Sequence, residues 1–206
     1  MECIAVTYGE SVLAENHIFE NGNSNNSRHI NFTVYLIKDD GHLILVDAGC
    51  ETMPGFEIKN FVGSIKALEM AGYSPEDITD VVITHSHHDH IECVKYFKNA
   101  VIHIQKDEYE CGKGYIPQSF KINLFDEKYK INKDIEIVKI GGHSIGSCIV
   151  EFMMSGKTYI IAGDECYSRE CLNKRIITGV SYNRDKSKKF IKKFSNKKYT
   201  VLLCHD

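Results

Sequence analysis

The segment Thr84-His85-Ser86-His87-His88-Asp89-His90 constrains the fold of this chain more than any other stretch. It directly follows the apolar run Val81-Val82-Ile83, which reads as a buried strand, and loops at strand ends commonly carry function. Histidines and an aspartate at this density cannot all enter a core, because each buried polar group needs its own hydrogen-bond partner. In an extended turn, His85 and His87 lie two apart and can converge on one cation. Asp89 and His90 then project towards a second cation at the start of the next helix. Neutral imidazole and carboxylate suit zinc, and also iron or manganese.

Further candidate ligands also sit at strand ends. Gly141-Gly142-His143-Ser144 follows a strand expected at 135–140, Ala162-Gly163-Asp164 one at 157–162, and Leu203-Cys204-His205-Asp206 the last apolar run, 200–203. A single strand-end His or Asp is usually a cap or turn residue. Taken with the dense segment, these residues supply enough donors for two ions. Asp164 is the natural bridge, since a carboxylate can give one oxygen to each.

The remaining pattern is mixed α/β. Residues 32–38 and 43–47 flank Asp39-Asp40-Gly41-His42 as a hairpin, and a helical pattern covers about 57–71, with Phe61, Ile65, Leu68 and Met70 on its apolar side and Gly72 at its end. Ser74-Pro75-Glu76-Asp77 reads as a helix start or turn, 100–104 as a strand, and a short helix begins near Lys106. Strands at 147–154 and 157–162 are joined by Ser155-Gly156. A basic amphipathic helix at 184–194 turns Phe190, Ile191 and Phe194 inward and leaves its lysines in solvent. Strands, helix, strands, helix in two similar halves predict a four-layer sandwich in one domain, 1–206, with helices outside two packed sheets. Asn21–Arg28 reads as a surface loop.

Composition narrows the classes. Net charge is −3, from 25 basic and 28 acidic residues, which argues against nucleic acid as a partner. No apolar run is long enough for a membrane span, and Met1–Glu10 has neither the basic stretch nor the apolar core of a signal peptide, so the chain reads as cytoplasmic. The 8 cysteines form no C-x-x-C pair and read as reduced thiols.

H-x-H-x-D-H followed by G-H-S, G-D and a late H-D resembles the metallo-β-lactamase superfamily, from about Tyr35 to the last residue. Val46-Asp47-Ala48-Gly49 is similar to its V-D-x-G turn, whose aspartate supports the metal site from behind the ligands. The resemblance implies a metallo-β-lactamase-like αβ/βα sandwich and two divalent metal ions, zinc first, with iron or manganese as alternatives. It assigns His85, His87 and His143 to one ion, Asp89, His90 and His205 to the other, and Asp164 to both. Within the superfamily the chain is most similar to the N-acyl homoserine lactonases, through Phe97–Tyr109 and through Asp164-Glu165-Cys166-Tyr167, a D-x-x-Y arrangement with a catalytic tyrosine.

That likeness implies hydrolysis of a small lactone or related ester by a metal-bridging hydroxide. Tyr167 would donate to the oxyanion, and Asp89 would pass a proton to the leaving alkoxide. Two alternatives are a thioester hydrolase of the hydroxyacylglutathione hydrolase type and a non-hydrolytic metal-binding redox or sensing domain. Neither a nucleic acid nor a membrane is expected as partner.

Overall fold

In the computed structural model, which describes residues 1–206, the strands of two sheets end along a common edge. The chain opens with β1 (Glu2–Ala14), a one-turn helix α1 (Glu15–Ile18), β2 (Ser27–Asp39), β3 (His42–Val46) and the short β4 (Ile58–Lys59). It continues through α2 (Ser64–Met70), β5 (Asp80–Ile83), α3 (His88–Ile91), β6 (Val101–Gln105), α4 (Lys106–Gly112) and β7 (Lys121–Phe125). The second half contains β8 (Lys128–Lys130), β9 (Ile135–Lys139), β10 (Cys148–Met154), β11 (Lys157–Ile161), α5 (Arg169–Lys174), α6 (Arg184–Phe194) and β12 (Tyr199–Leu202).

The first sheet runs β4-β1-β2-β3-β5-β6-β7 and the second β12-β11-β10-β9-β8. Period-two alternation explains why they stack, since successive side chains leave a strand on opposite faces. Tyr35, Ile37, Ile44, Val46 and Val82 meet Ile135, Ile137, Val150, Phe152 and Ile161 in one buried cluster between the sheets. Leu36, Leu45, Val81 and Ile83 face the other way and join Leu68, Val94 and Phe97 in a second cluster under the outer helices. Beneath α6, Phe190, Ile191 and Phe194 are each only 2% exposed, so that helix covers the second sheet as its amphipathic pattern requires. The result is the expected four-layer αβ/βα sandwich. All cysteines are free, most of them buried, and no helix is long and apolar enough to cross a membrane.

Strand direction positions the site. β3, β5, β6 and β7 are mutually parallel, and β11 and β12 are parallel, so the loops after β3, β5, β11 and β12 lie at carboxyl ends of strands. The Cys148 amide donates to the Thr84 carbonyl at 2.8 Å, tying the second sheet to the loop after β5.

Several expectations need correction. The helical pattern at 57–71 forms a helix only from Ser64. Ile58 and Lys59 instead pair with Ser11 and Glu10, Gly63 has φ +81°, and Met70 is 71% exposed rather than on an apolar face. Sheet pairing across 47 residues of sequence outweighs local periodicity there. Ser27 and Arg28 belong to β2, not to a loop, because Ala14 and Leu13 pair with them. β1, β7, β8 and α5 carry no strong turn signals and emerge only from the fold.

Away from the metal-ligand candidates, Asp80 is sandwiched by two imidazoles. It accepts from His42 Nδ1 at 2.7 Å, His103 Nε2 at 2.8 Å and Thr79 Oγ1 at 2.7 Å. Burial alone would raise its pKa, but these hydrogen bonds outweigh it and hold Asp80 down to about 2, against an ordinary 3.8. A carboxyl depressed by folding stabilises the native state above its unfolded pKa and loses that contribution as pH falls through the folded value, here from 3.8 to about 2. Asp80→Asn should therefore cost about 2 kcal/mol near neutral pH, with the difference from wild type shrinking across that interval. Urea unfolding at stepped pH measures this, and a difference that stays constant down to the acid end contradicts it.

Candidate metal centre

The loop after β5 is shaped by Asp47, which follows β3 with φ +63°, a left-handed conformation that a non-glycine residue seldom adopts. From there its carboxylate accepts from the Thr84 amide at 2.8 Å, the Thr84 hydroxyl at 2.9 Å and His90 Nδ1 at 2.8 Å. The Ala48 amide donates to the His90 carbonyl at 2.8 Å. The V-D-x-G turn thus supports the His-rich loop from behind. His87 lies at the amino end of α3, and Asp89 and His90 lie within it. The Asp89 backbone is held by the Tyr8 hydroxyl, 2.9 Å from its carbonyl.

The structure brings together all seven candidate ligands. His85, His87, His143 and Asp164 form one group and Asp89, His90 and His205 another, the donor atoms of each lying within 4.8 Å of one another. Asp164 turns one oxygen towards each: Oδ1 is 3.2 Å from His90 Nε2 and 3.0 Å from His205 Nε2, while Oδ2 is 3.6 Å from His85 Nε2 and 3.4 Å from His143 Nε2.

Proton counting shows what such a box can contain. His143 Nδ1 faces the Val180 carbonyl at 3.1 Å and His205 Nδ1 the Asn31 carbonyl at 2.8 Å. A carbonyl only accepts, so both Nδ1 atoms carry hydrogen, and in the neutral ring Nε2 presents a lone pair. The same holds for His90, whose Nδ1 donates to Asp47. It holds also for His85, whose Nδ1 is 3.1 Å from a Thr84 hydroxyl already donating to Asp47. His85 Nε2 and His143 Nε2 both lie 3.0 Å from His87 Nδ1, which has at most one hydrogen to give. His90 Nε2, His205 Nε2 and Asp164 Oδ1 are buried with no hydrogen-bond partner. With the rings neutral, acceptors face acceptors in a buried space, an arrangement a bound cation satisfies, and imidazole with carboxylate fits zinc, iron or manganese.

Without an ion, the electrostatics of the two groups differ. Burial pushes His85 well below the ordinary histidine range, and burial with the neighbouring His143 lowers His87. Burial likewise opposes charge on His90 and His205, but Asp164 and Asp89 outweigh it and raise both. Burial would raise Asp164, yet His90, His205, His85 and His143 hold it well below the usual carboxylate range.

Two buried glutamates that sequence reasoning missed hold the loop bearing His143. Glu108 of α4 accepts from the Ser86 amide (2.8 Å) and hydroxyl (2.7 Å), the Ser144 hydroxyl (2.5 Å) and the Gly146 amide (2.8 Å), joining the loops after β5 and β9. Glu165 Oε1 accepts from the Gly142 amide (3.0 Å), the His143 amide (3.2 Å) and the Ser147 hydroxyl (2.5 Å). Burial raises its pKa to about 7 despite these donors. Its other oxygen lies so close to Gly142 that a Cβ there would collide with it. The adjacency of Glu165 to Asp164 was the one available signal, and Glu108 had none.

Metal-loaded protein is expected to bind two ions per chain by elemental analysis, and none after reconstitution with zinc, iron or manganese would rule this out. Asp164→Ala should weaken both positions, and loss of a single ion would reject bridging. Glu165→Ala should release the His143 loop and weaken mainly the ion beside His143, with Glu165→Gln recovering much of the affinity by keeping the Oε1 acceptor. Equal weakening of both ions contradicts that role.

The model of the metallo-beta-lactamase superfamily matches residues 33–205. A probable metallo-hydrolase of Methanocaldococcus jannaschii is 29% identical over 163 residues, 79% of this chain and 70% of that protein. The N-acyl homoserine lactonase of Bacillus cereus is 27% identical over 164 residues, 66% of this chain and 64% of the lactonase. Among solved structures, an N-acyl homoserine lactone hydrolase with N-hexanoyl-L-homoserine at its catalytic metal centre superposes with TM-score 0.86 at 18% identity, covering 99% of this chain and 92% of the other. A probable metal-dependent hydrolase from Staphylococcus aureus superposes with TM-score 0.84 at 20% identity, covering 100% and 89%. With its family match, its sandwich and its two facing donor groups, the chain belongs to the metallo-beta-lactamase superfamily and is a metallo-hydrolase of that family.

Proposed function

We propose that this metallo-hydrolase opens a lactone, or a closely related ester, that carries an apolar acyl tail. The observation that carries this reading is the cavity above the donor groups, which holds about 300 Å³. Leu13, Ile30, Phe32, Met53, Phe56 and Val180 form its apolar wall, and His87, Asp89, Asp164 and His205 its polar floor. An apolar cavity with a few convergent polar groups suits a small, mostly hydrocarbon substrate whose one reactive group reaches the floor. The lactonase relative in Bacillus cereus supports the same substrate class.

In this reading His85, His87 and His143 hold one divalent ion, Asp89, His90 and His205 the second, and Asp164 contributes an oxygen to each. When bound, the ions supply Lewis acidity and a water acidic enough to act near neutral pH. The chain's own contribution lies in Tyr167 and Asp89. Tyr167 is 8% exposed and lines the cavity, its ring stacked on His205 with centroids 5.0 Å apart and an interplanar angle of 22°. Burial, reinforced by the negative charge of Asp164 and Asp89, pushes its phenol well above the ordinary tyrosine range, so it keeps its proton and can donate to a developing oxyanion. Asp89, with its backbone pinned by Tyr8 and its side chain on the cavity floor, is placed to carry a proton to the leaving alkoxide.

A screen of metal-loaded protein across lactones, thioesters and phosphodiesters tests the substrate class, and turnover confined to thioesters would replace it. Tyr167→Phe should lower kcat by roughly 10²–10³, less if a metal shares the oxyanion charge, while metal content stays at the wild-type value. A wild-type rate in that variant removes Tyr167 from the mechanism and leaves it a packing residue.

A further inference from the structure

Between Arg184 and Lys198 the chain carries eight basic residues and one acidic, although the whole chain nets −3. The remainder is correspondingly acidic, so the net charge hides a strong asymmetry. In the fold these residues form α6 and the turn after it. Ser187, Phe190, Ile191 and Phe194 are buried, and all seven lysines from Lys186 to Lys198 are exposed. Elsewhere surface lysines commonly find carboxylates: Lys139 meets Asp107 at 2.7 Å, Lys113 meets Glu110 at 2.6 Å and Lys174 meets Glu170 at 2.5 Å. On α6 only Arg184 does so, with Glu20, and none of the seven lysines has an acidic partner. Two grooves flank the helix. Lys189, Lys192, Lys193 and Lys198 converge on one of about 370 Å³, and Lys139, Lys186, Lys189 and Lys193 on one of about 180 Å³. No acidic side chain lines either groove.

At the amino end of α6 the lysines meet exposed apolar side chains. Tyr182 is 65% exposed, and Ile145 and Val180 are exposed beside it. The Tyr182 amide donates to the His143 carbonyl at 3.1 Å and the Asn183 amide to the Gly142 carbonyl at 2.8 Å, which fixes this strip to the His143 loop. Lys186 Nζ and the Ile145 carbonyl lie 3.0 and 3.1 Å from where a Gly141 Cβ would stand, so charge and apolar surface adjoin there. Val180 lines the cavity together with the exposed Phe56, so the strip reaches the mouth of the site.

We infer that the outer face of α6, with the strip formed by Ile145, Val180 and Tyr182, is a docking surface for an anionic lipid bilayer. Each lysine that reaches such a surface multiplies partition about fivefold, and its stem lies along apolar surface while the ammonium meets a headgroup. Tyrosine and aliphatic side chains at the same edge suit the boundary between headgroups and acyl chains. The acidic remainder of the chain is repelled, which selects one orientation. A nucleic acid would satisfy the lysines but offers the apolar strip nothing to enter. The one arginine of the patch is tied to Glu20, so no guanidinium is free to grip phosphates bidentately. Docking of this kind is peripheral and needs no membrane-spanning helix.

Flotation of metal-loaded protein with vesicles of equal parts phosphatidylcholine and phosphatidylserine, and with vesicles of phosphatidylcholine alone, reads the partition without using turnover. The protein should float with the mixed vesicles only, and raised salt should release it. Lys189→Gln, Lys192→Gln, Lys193→Gln and Lys198→Gln combined should weaken the partition by about 10²-fold. The same four positions changed to arginine should retain it, with wild-type metal content in both proteins. Tyr182→Ser should weaken it severalfold without altering the salt dependence. Equal flotation with both vesicle types, no flotation with the mixed vesicles, or indifference to the four glutamines overturns the inference. Loss of binding in the arginine protein as well rejects charge as its cause, and an unchanged partition in Tyr182→Ser removes the apolar strip from the surface. Retention of duplex DNA at the same salt, with the vesicles left unbound, replaces the bilayer by a nucleic acid.

Discussion

The site depends on the Asp47 carboxylate. In its left-handed conformation at the end of β3 it reaches across to β5, where it holds the Thr84 amide and hydroxyl and His90 Nδ1 together. Through the Thr84 hydroxyl it also sets His85, whose Nδ1 is 3.1 Å from that oxygen. One buried anion thus fixes the ring orientation of one imidazole in each donor group. Unfavourable backbone geometry persists where the surroundings over-determine it, and three hydrogen bonds to one side chain do so here. Without that carboxylate, both imidazoles would lose the group that keeps their protons on Nδ1 and their lone pairs aimed at the cavity floor.

What Asp47 begins, the two glutamates and two backbone carbonyls complete from the opposite side. Glu108 and Glu165 hold the 142–147 loop, while Val180 and Asn31 orient His143 and His205. His143 and His205 are therefore each oriented by a residue distant in sequence. The box that results is rich in lone pairs and poor in hydrogens, which is the physical signature of a cation site rather than of a hydrogen-bonded core.

The cavity above the box belongs largely to the amino-terminal half of the chain. Leu13, His17, Ile30 and Phe32 come from β1, α1 and β2, and Met53 and Phe56 from the connection between β3 and α2. The metal-ligand candidates come from the loops at the carboxyl ends of strands in both sheets. In the proposed reading, the donor box and the cavity wall come from different parts of the sandwich, so the wall can vary while the box stays intact.

The sequence alone determined the reactive inventory. The H-x-H-x-D-H run, the strand-end His143, Asp164 and His205, and the V-D-x-G turn are short-range patterns whose chemistry is readable without coordinates. The hairpin around Asp40-Gly41 and the helix at Arg184–Phe194 were legible for the same reason, since turn chemistry and amphipathic period are local. Only tertiary structure decided the rest. Residues 57–63 abandon a helical pattern because β1 offers Ile58 and Lys59 backbone partners, and a pairing between distant segments leaves no local trace. Tertiary structure alone placed Glu108 and Glu165 beside the site, because their hydrogen bonds reach loops far away in the chain. Tyr167 was legible as a candidate but not as a ring stacked on His205, since that contact joins residues that meet only when β11 and β12 pair in parallel.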